Sequence, residues 1–263
     1  MKIGTVAYIP PRGVLHSEAF MANIQKNPAK HPLFLMSDSA EWNPSKLIKS
    51  PELIGKRPAW AVNNAIFLQG LELAREVGLD FFLYLESDSR AGCKDFDAVI
   101  FDEFFGRYSA GVSCAGSPVV WDLNSGGREF ALRVVEMAWK YQQAGDLPMS
   151  FYSGKHPFDS SGAALYVNGS CAVYETAAMS KVFDLDNPTL DISMLARRTT
   201  AYDLEIGRRL WTYHGPKAIE HVGWLVSAYS AFGNAVTTEA ERLQMLRDGS
   251  RTLVHQVKGD GQP

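Results

Sequence analysis

The sequence predicts a single-domain α/β protein with a mostly parallel central sheet flanked by helices. Short apolar runs alternate with amphipathic stretches of helical length from residue 2 to about residue 120, an order typical of successive βαβ units. One of these runs is almost wholly apolar, as expected of a strand that is covered on both faces. The chain has 263 residues, of which 46% are hydrophobic and 21% charged, and this composition supports one large core and excludes wholesale disorder.

The first elements are two short strands separated by a helix. Apolar residues at 2–9 predict a strand, which ends at Pro10 because proline cannot continue a ladder of hydrogen bonds. A helix over 16–24 follows. The apolar run at 31–37 predicts the second strand, which stops at a cluster of serine and aspartate.

A long helix and the most apolar strand come next. Residues 58–77 place alanine and leucine on one broad face of a helix, which begins at Pro58 and ends before Gly78. The run 81–85, with the sequence FFLYL, is the strand predicted to be covered on both faces, and it ends abruptly in polar residues.

The second half of the chain is less regular, although we treat residues 1–246 as one continuous domain. The tail, residues 247–263, is polar with several glycines, and we expect it to be frayed. The remaining predicted elements are helices over 96–108, 129–143, 176–183 and 203–213 and strands over 111–120, 163–174 and 217–226.

Net charge and cysteine content narrow the function and the compartment. The net charge of −3 and the pI of about 6.1 argue against a generally basic nucleic-acid binder, while a local basic groove stays open. Three scattered cysteines are too few for a disulfide framework or a zinc finger and fit a reducing compartment. No apolar stretch reaches the roughly 20 residues that span a bilayer, and the N-terminal run is too short for a signal peptide. We therefore expect a cytoplasmic protein without a membrane span.

Several enzyme classes are disfavoured by motifs that the sequence lacks. The first strand is not followed by Gly-x-Gly-x-x-Gly, which a standard dinucleotide-binding fold would carry, and no P-loop is present. A Gly-x-Ser-x-Gly elbow, a His-Glu-x-x-His pair and a Cys-x-x-Cys motif are also missing from the sequence.

The strongest chemical signal is the segment Glu86-Ser87-Asp88 after the apolar strand. Ligands of open α/β sheets bind in the crevice outside the carboxyl ends of the strands. Residues two apart on an extended segment point the same way, so these two carboxylates would converge on one point, as the ligands of a hard divalent cation do. Such a cation would neutralise phosphate oxygens and stabilise a departing diphosphate. The alternative is an acidic turn whose carboxylates cap the next segment.

The order of these motifs resembles the core of glycosyltransferases with the GT-A fold, of the inverting, family 2-like kind. In that family a helix with asparagine near its start leads to a strand that ends in Asp-x-Asp. Here Asn64 lies near the start of the long helix, and Glu86 replaces the first aspartate, which leaves Asp88 as the more reliable ligand. The resemblance covers roughly residues 2–230 as scattered short motifs, and it implies a GT-A-like, Rossmann-like fold.

The same resemblance implies how a nucleotide sugar would be bound. Residues 1–120 would form the nucleotide-sugar-binding half, and residues 121–246 the acceptor half. Asp38 would contact the base, and Arg12 or Arg57 would pair with the diphosphate, although a solvated surface charge is the alternative for each arginine. The expected donor-contacting residues are Ala7, Tyr8, Pro10, Arg12, Asp38, Arg57, Asn64, Glu86, Ser87 and Gly169.

The second half supplies the candidate catalytic base. By resemblance Gly169 lies on the strand beneath the donor sugar, or else it marks a bulge. Asp203 matches the aspartate that deprotonates the acceptor in inverting enzymes of this fold, although Tyr202 stands where the family has glutamate. Glu205 is the second choice for the base. The alternative for Asp203 is a helix N-cap, a position that aspartate favours.

The candidate metal ligands are the two acidic residues and a histidine from the second half. Many metal-dependent relatives supply a third ligand from a C-terminal histidine, and we prefer His221 over His214, which more simply caps the end of a helix. Both histidines also have a purely structural alternative. With Glu86 and Asp88, His221 would bind Mn²⁺ or Mg²⁺.

Taken with the resemblance, the sequence predicts a metal-dependent glycosyltransferase. It would move a sugar from a nucleoside-diphosphate sugar, with a UDP-sugar favoured, to an acceptor hydroxyl with inversion. The acceptor would be a glycan or, as a second choice, a hydroxylated base in DNA. A nucleotidyltransferase is the first alternative, but its Gly-x-Gly-x-Arg loop is absent after the first strand. The second alternative is a non-catalytic nucleotide-sugar-binding module, which the two departures at Glu86 and Tyr202 would suit.

Overall fold

A seven-stranded sheet forms the centre of the protein. The structure is a computed structural model that describes residues 1–14, 16–48, 59–107, 111–116, 167, 169–186, 206–207, 209–210, 214, 218–222, 225–226, 231–232, 235–236, 238–255 and 257. The strands of this sheet are β1 (Ile3–Tyr8), β2 (Leu33–Ser37), β3 (Lys46–Leu47), β4 (Phe81–Leu85), β6 (Cys114–Gly116), β7 (Ala172–Glu175) and β8 (Ile219–His221). Across the sheet they lie in the order β3-β2-β1-β4-β7-β6-β8.

The sheet is parallel except at β7. β1 pairs in parallel with both β2 and β4, and β6 pairs in parallel with β8. β7 lies antiparallel between β4 and β6. The carboxyl ends of β1, β2, β4 and β6 therefore meet the start of β7 at one edge. This arrangement confirms the predicted mostly parallel α/β fold.

Five α-helices are described. They are α1 (Ser17–Lys26), α2 (Ala59–Glu76), α3 (Phe96–Arg107), α4 (Thr176–Val182) and α5 (Glu239–Arg247), and a short 3-10 helix spans Ala40–Trp42. None of the helices in the described part of the chain combines the length and the apolar character that crossing a bilayer requires.

The central sheet has an apolar layer on each face, and β4 contributes to both, which explains why its sequence is almost wholly apolar. Phe82 and Tyr84 face the layer formed with α2 and α4, whereas Leu83 and Leu85 face the layer formed with α1 and α3. All four side chains are fully buried. A strand that contributes to two layers cannot alternate apolar with polar residues, because both of its faces lack water.

The layer on the α2 side is built around Phe67. Its ring meets Tyr84, Tyr174 and Phe183 with centroids 5.3, 5.1 and 6.3 Å away. Edge-to-face contacts of this kind add to the roughly 1.5–3 kcal/mol that burying a large apolar side chain contributes. Helix α2 can lie close to the sheet because Gly70 has no side chain. A Cβ at that position would lie only 2.9 Å from Cε of Met36.

A second, three-stranded sheet joins distant parts of the chain beside the first. Its order is β5-β12-β9, with β5 at Arg90–Ala91, β12 at Leu253–Val254 and β9 at Leu225–Val226. Helix α5 begins with a capping box, in which Thr238 and Glu241 satisfy each other's backbone N–H groups. A further hairpin pairs β10 (Ala231–Phe232) with β11 (Ala235–Val236).

Most of the predicted elements are found within a few residues of their expected ends. Two predicted strands differ. In the described part of the strand expected at 163–174, β7 begins only at Ala172, because residues 169–171 form a turn in which Cys171 has a φ of 59°. The strand expected at 217–226 is split into β8 and β9. The helix expected at 129–143 lies outside the described residues.

The frayed tail predicted for 247–263 is wrong for its described part. Leu253 and Val254 form β12, and Val257 is fully buried. Val254 and Val257 pack against Leu243 and Leu246 of α5, and this small apolar cluster holds the segment in place. The division of the chain into domain, halves and tail stays a prediction.

Candidate metal and donor site

The carboxyl edge of the main sheet brings together polar side chains from three strands. Tyr8 ends β1, Asp38 follows β2, and Glu86 follows β4. The pKa of the Tyr8 phenol is raised far above its ordinary value, first by burial and then by the negative charges of Asp38 and Glu86. Tyr8 therefore lies within electrostatic range of both carboxylates. These three residues are among or beside those expected to contact the donor, and their role in binding it stays a prediction.

The two predicted acidic ligands are carried by a closed turn after β4. The N–H of Ser89 donates to the carbonyl of Glu86 at 3.0 Å, which closes the turn, and the N–H of Glu86 donates to Oγ of Ser170 at 3.1 Å. Ser170 belongs to the turn before β7, so that turn supports the acidic turn from the adjacent strand. The side chains of Glu86 and Asp88 are 24% and 21% exposed, open enough to reach a ligand from solvent.

His255 lies against both carboxylates. It follows β12 directly, and its Nε2 is 2.9 Å from Oδ1 of Asp88 and 3.4 Å from Oε2 of Glu86. One ligand atom from each of the three residues lies within 4.8 Å of the other two. A backbone bond fixes the segment, since the N–H of Val257 donates to the carbonyl of Asp88 at 3.0 Å.

The charges of this triad interact strongly. Burial alone would lower the pKa of His255, but attraction by Asp88 and then by Glu86 outweighs it and raises the pKa to about 10. Burial likewise opposes ionisation of Asp88, yet His255 and the more distant His16 hold the pKa of that carboxyl below its ordinary value. At neutral pH an imidazolium therefore balances part of the negative charge of the turn.

The donor set of the triad fits a divalent cation. Although Nε2 of His255 and Oδ1 of Asp88 are 2.9 Å apart, neither atom makes a hydrogen bond of acceptable geometry within the described residues, and both are buried. A bound cation would displace the proton from the imidazole, and the freed nitrogen would then face the same point as the carboxylate oxygens. Carboxylate oxygens suit Mg²⁺ and Mn²⁺, and imidazole extends the set toward transition metals.

Arg12 is held at the same edge by an aromatic contact. Its guanidinium carbon lies 4.5 Å from the centre of the Trp42 ring, and the indole N–H donates to the carbonyl of Pro10 at 2.8 Å. The backbone N–H of Arg12 lies 3.4 Å from a carboxylate oxygen of Glu41. The loop after β1 and the short helix after β2 are thereby joined, and the exposed arginine is oriented by stacking.

Some of the predicted donor residues lie deeper than the edge. Ala7 is fully buried in the layer against α1 and α3, and Asn64 is buried on α2. Gly169 lies in the turn before β7, where its carbonyl accepts the hydroxyl of Tyr174 at 2.7 Å. Ser87 occupies the acidic turn between the two ligands, where its carbonyl binds Arg90.

Other predicted site residues lie outside what the structure describes. They are Arg57, Asp203 and Glu205, whose roles stay predictions. The side chain of His221 is also outside the described part, but its backbone ends β8 and pairs with Gly116. Three strand spacings of about 4.8 Å separate β8 from β4, so the backbone of His221 is roughly 14 Å from the strand that precedes the acidic turn.

Sequence reasoning missed His255 because it assigned the residue to a frayed tail. The signal that could have found it is the segment Leu253-Val254-His255-Gln256-Val257, where apolar β-branched residues flank the histidine. The capping box at Thr238 and Glu241 is a second signal in the sequence, since it predicts the start of a helix just before that segment.

Comparisons with known proteins find similarity only among solved structures. The sequence matches no protein-family model and no curated protein. One similar structure is a glycosyltransferase involved in the glycosylation of the major capsid of PBCV-1, with 11% identity and a TM-score of 0.49 over 98% of this chain and 94% of that one. Mouse xyloside xylosyltransferase 1 has 12% identity and a TM-score of 0.46 over 97% of each chain. The bifunctional glycosyltransferase WbbM also has 12% identity and a TM-score of 0.46, over 97% of this chain and 45% of that one.

Proposed function

We propose that the protein is a glycosyltransferase that moves a sugar from a nucleoside-diphosphate sugar to an acceptor hydroxyl. The observation that carries the proposal is the convergence of Glu86, Asp88 and His255 at the carboxyl end of β4. Two distant parts of the chain meet there, at the edge where open α/β sheets bind their ligands. A cation site at this edge suits a substrate with a diphosphate group.

The triad would hold Mn²⁺ or Mg²⁺, and its mixed carboxylate–imidazole composition favours Mn²⁺. When bound, the cation supplies positive charge to the diphosphate oxygens and stabilises the departing nucleoside diphosphate. The role of the chain is to fix the directions of the three ligands. The turn bonds of Glu86 and the bond between Val257 and Asp88 do this before any substrate arrives.

The nucleotide would lie over the ends of β1 and β2. There Asp38 can accept an N–H from the edge of a base such as uracil or guanine, and we propose a UDP-sugar as the donor. Arg12 would pair with a phosphate oxygen, and its stacking on Trp42 supports this role by orienting the guanidinium. The influence of both Asp38 and Glu86 on the pKa of Tyr8 supports this assignment, because it indicates that the proposed base contact and the proposed metal ligand are at the same edge of the sheet.

The acceptor side of the proposal rests on sequence. We propose Asp203 as the base that deprotonates the acceptor hydroxyl, with Glu205 as the second choice and inversion at the anomeric carbon as the outcome. The acceptor would be a glycan or, as a second choice, a hydroxylated base in DNA. The free thiols of Cys93, Cys114 and Cys171 support a reducing, cytoplasmic compartment.

The test is a transfer and hydrolysis assay with a panel of nucleoside-diphosphate sugars, with Mn²⁺, with Mg²⁺ or with a chelator. We expect metal-dependent release of a nucleoside diphosphate, which Asp88→Asn abolishes. Asp102→Asn, a change of an exposed acid on α3, is the matched control and should retain full activity. Full activity of Asp88→Asn in excess chelator would reject the metal role.

The two alternative functions predict different results in the same assay. Release of pyrophosphate would point to a nucleotidyltransferase. Metal-dependent binding of a nucleotide sugar without turnover of any donor would point to a binding module. The anomeric configuration of the product decides between inversion and retention, and Asp203→Asn separates the proposed base from a helix cap.

A further inference from the structure

Arg90, the first residue of β5, is a buried cation directly behind the acidic turn. It is 1% exposed and is the largest fully buried side chain among the described residues. Its Nη1 donates to the backbone carbonyl of Ser87 at 2.9 Å and to that of Ser89 at 2.7 Å. A guanidinium is buried at a high cost in free energy unless it is well hydrogen-bonded, so these bonds are essential to its placement.

The two carbonyls that Arg90 binds lie on either side of Asp88 in the chain. A peptide plane whose carbonyl is held cannot rotate freely, and the backbone dihedral angles of Asp88 and Ser89 lie between the two held planes. The bond from the Ser89 N–H to the Glu86 carbonyl closes the same turn at 3.0 Å. Arg90 therefore restricts the directions in which the Asp88 carboxylate can point.

Arg90 is also aligned with the strand that carries the third ligand. β5 pairs with β12 in an antiparallel register that sets Arg90 opposite Val254, the residue before His255. On the other side, Asn23 of α1 binds both the N–H and the carbonyl of Ala91, at 2.7 and 3.0 Å, and Nδ2 of Asn27, the residue after α1, donates to the same carbonyl at 2.8 Å. These bonds anchor β5 to the main body of the protein. One short strand thus connects α1, the acidic turn and the histidine segment.

We propose that Arg90 is a positioning residue for the metal site. Its side chain orients the turn that carries Glu86 and Asp88, while its backbone sets the register of the segment that carries His255. This inference rests on the proposed function, because it assumes that the triad binds a divalent cation. Arg90 itself touches neither the cation nor the substrate.

The test uses the full chain and Mn²⁺ alone as the probe, with binding followed by the EPR signal of free Mn²⁺. Arg90→Met removes the donors but retains an apolar side chain of similar length. We expect its dissociation constant for Mn²⁺ to rise about 10- to 100-fold, the range typical of lost outer-shell partners. Arg90→Lys restores a buried cationic donor and should recover part of that affinity. If Arg90→Met does not fold, Arg90→Gln takes its place and should bind more weakly than Arg90→Lys.

The control is Asn27→Ala, which removes one of the three side-chain hydrogen bonds that anchor Ala91 of β5 and leaves the turn untouched. Thermal unfolding in chelator measures how much each variant loses in stability. A purely structural arginine would lower the melting temperature and leave Mn²⁺ affinity unchanged, so an affinity of Arg90→Met within twofold of the natural protein would overturn the inference. An equal loss of affinity in Asn27→Ala at equal stability would also overturn it. If the natural protein binds no Mn²⁺, the metal role in the proposed function fails as well, which is a different result from unchanged affinity in the variant alone.

Discussion

The contact between His255 and the acidic turn should contribute measurably to folding. His255→Gln removes a buried imidazole that lies 2.9 Å from Asp88 and 3.4 Å from Glu86. Breaking a fully buried ion pair costs about 3–5 kcal/mol because the remaining charge is left without a partner. Here water still reaches the carboxylates, which are 24% and 21% exposed, so we expect a smaller loss. The free energy of unfolding in chelator should fall by about 2–3 kcal/mol.

Urea denaturation of four proteins measures this interaction directly. They are the natural protein, His255→Gln, Asp88→Asn and the double variant, all in chelator at neutral pH. Because the second change removes a carboxylate that has already lost its partner, the double variant should be more stable than the sum of the single losses implies, by about 1–2 kcal/mol. Losses that add within about 0.5 kcal/mol would show that the two groups do not interact and would refute the reasoning.

Added Mn²⁺ separates the metal role of His255 from its role as a counter-charge. A cation present at a hundred times its dissociation constant should stabilise the natural protein by about 2.7 kcal/mol. His255→Gln should lose most of this gain at the same Mn²⁺ concentration. The exposed His214, the other histidine considered from the sequence, provides the control, and His214→Gln should respond to Mn²⁺ as the natural protein does.

Three further changes test the packing around the site. Phe67→Ala should reduce the free energy of unfolding by about 3–5 kcal/mol in a urea titration, because three aromatic contacts are lost. Gly116→Ala should cost about 1–3 kcal/mol in the same assay, since the new Cβ would lie 2.9 Å from the Cβ of Ala172 on a neighbouring strand that cannot move aside; a neutral result would mean that the strands separate easily. Thr238→Ala should lower stability by about 1 kcal/mol at neutral pH. Hydrogen bonds from Thr238 lower the pKa of Glu241 below its ordinary 4.5. The contribution of that carboxylate to stability is therefore present above pH 4.5 and is lost as the pH falls through the lowered pKa. Measurements of the free energy of unfolding against pH will show this loss.

The parts of the fold that the sequence predicted well are those whose cause is local. The run at 81–85 is apolar on both faces because β4 is buried between two layers, and composition alone reveals that. The long helix at 58–77 was predicted from the spacing of its apolar residues and is found as α2. The acidic turn was readable for the same reason, since a polar cluster that follows a buried strand lies at the ligand-binding edge.

The short strands were harder to predict because their stability comes from their partners. β5 and β12 have two residues each, and neither shows a periodic pattern. Each forms only because the other is there, together with β9 and the apolar cluster under α5. The Arg90 side chain illustrates the same limit, since a charged residue at the end of a polar turn gives no sign in the sequence that it will be buried.

The sequence did not identify His255 as the third candidate ligand for a related reason. From a sequence, a histidine is assigned to a metal site by its place in a predicted element, and His221 was preferred because it falls on an apolar run. The structure brings a different histidine to the carboxylates, because the register of β12 on β5 places residue 255 beside the turn. β12 pairs with β5 and β9, which come from distant parts of the chain, and it packs against the apolar side chains of α5. When a metal ligand lies on a segment of this kind, no motif of regular spacing identifies it in the sequence. Substitutions in or beside the segment, at His255 or Arg90, are therefore needed to show whether His255 completes the site.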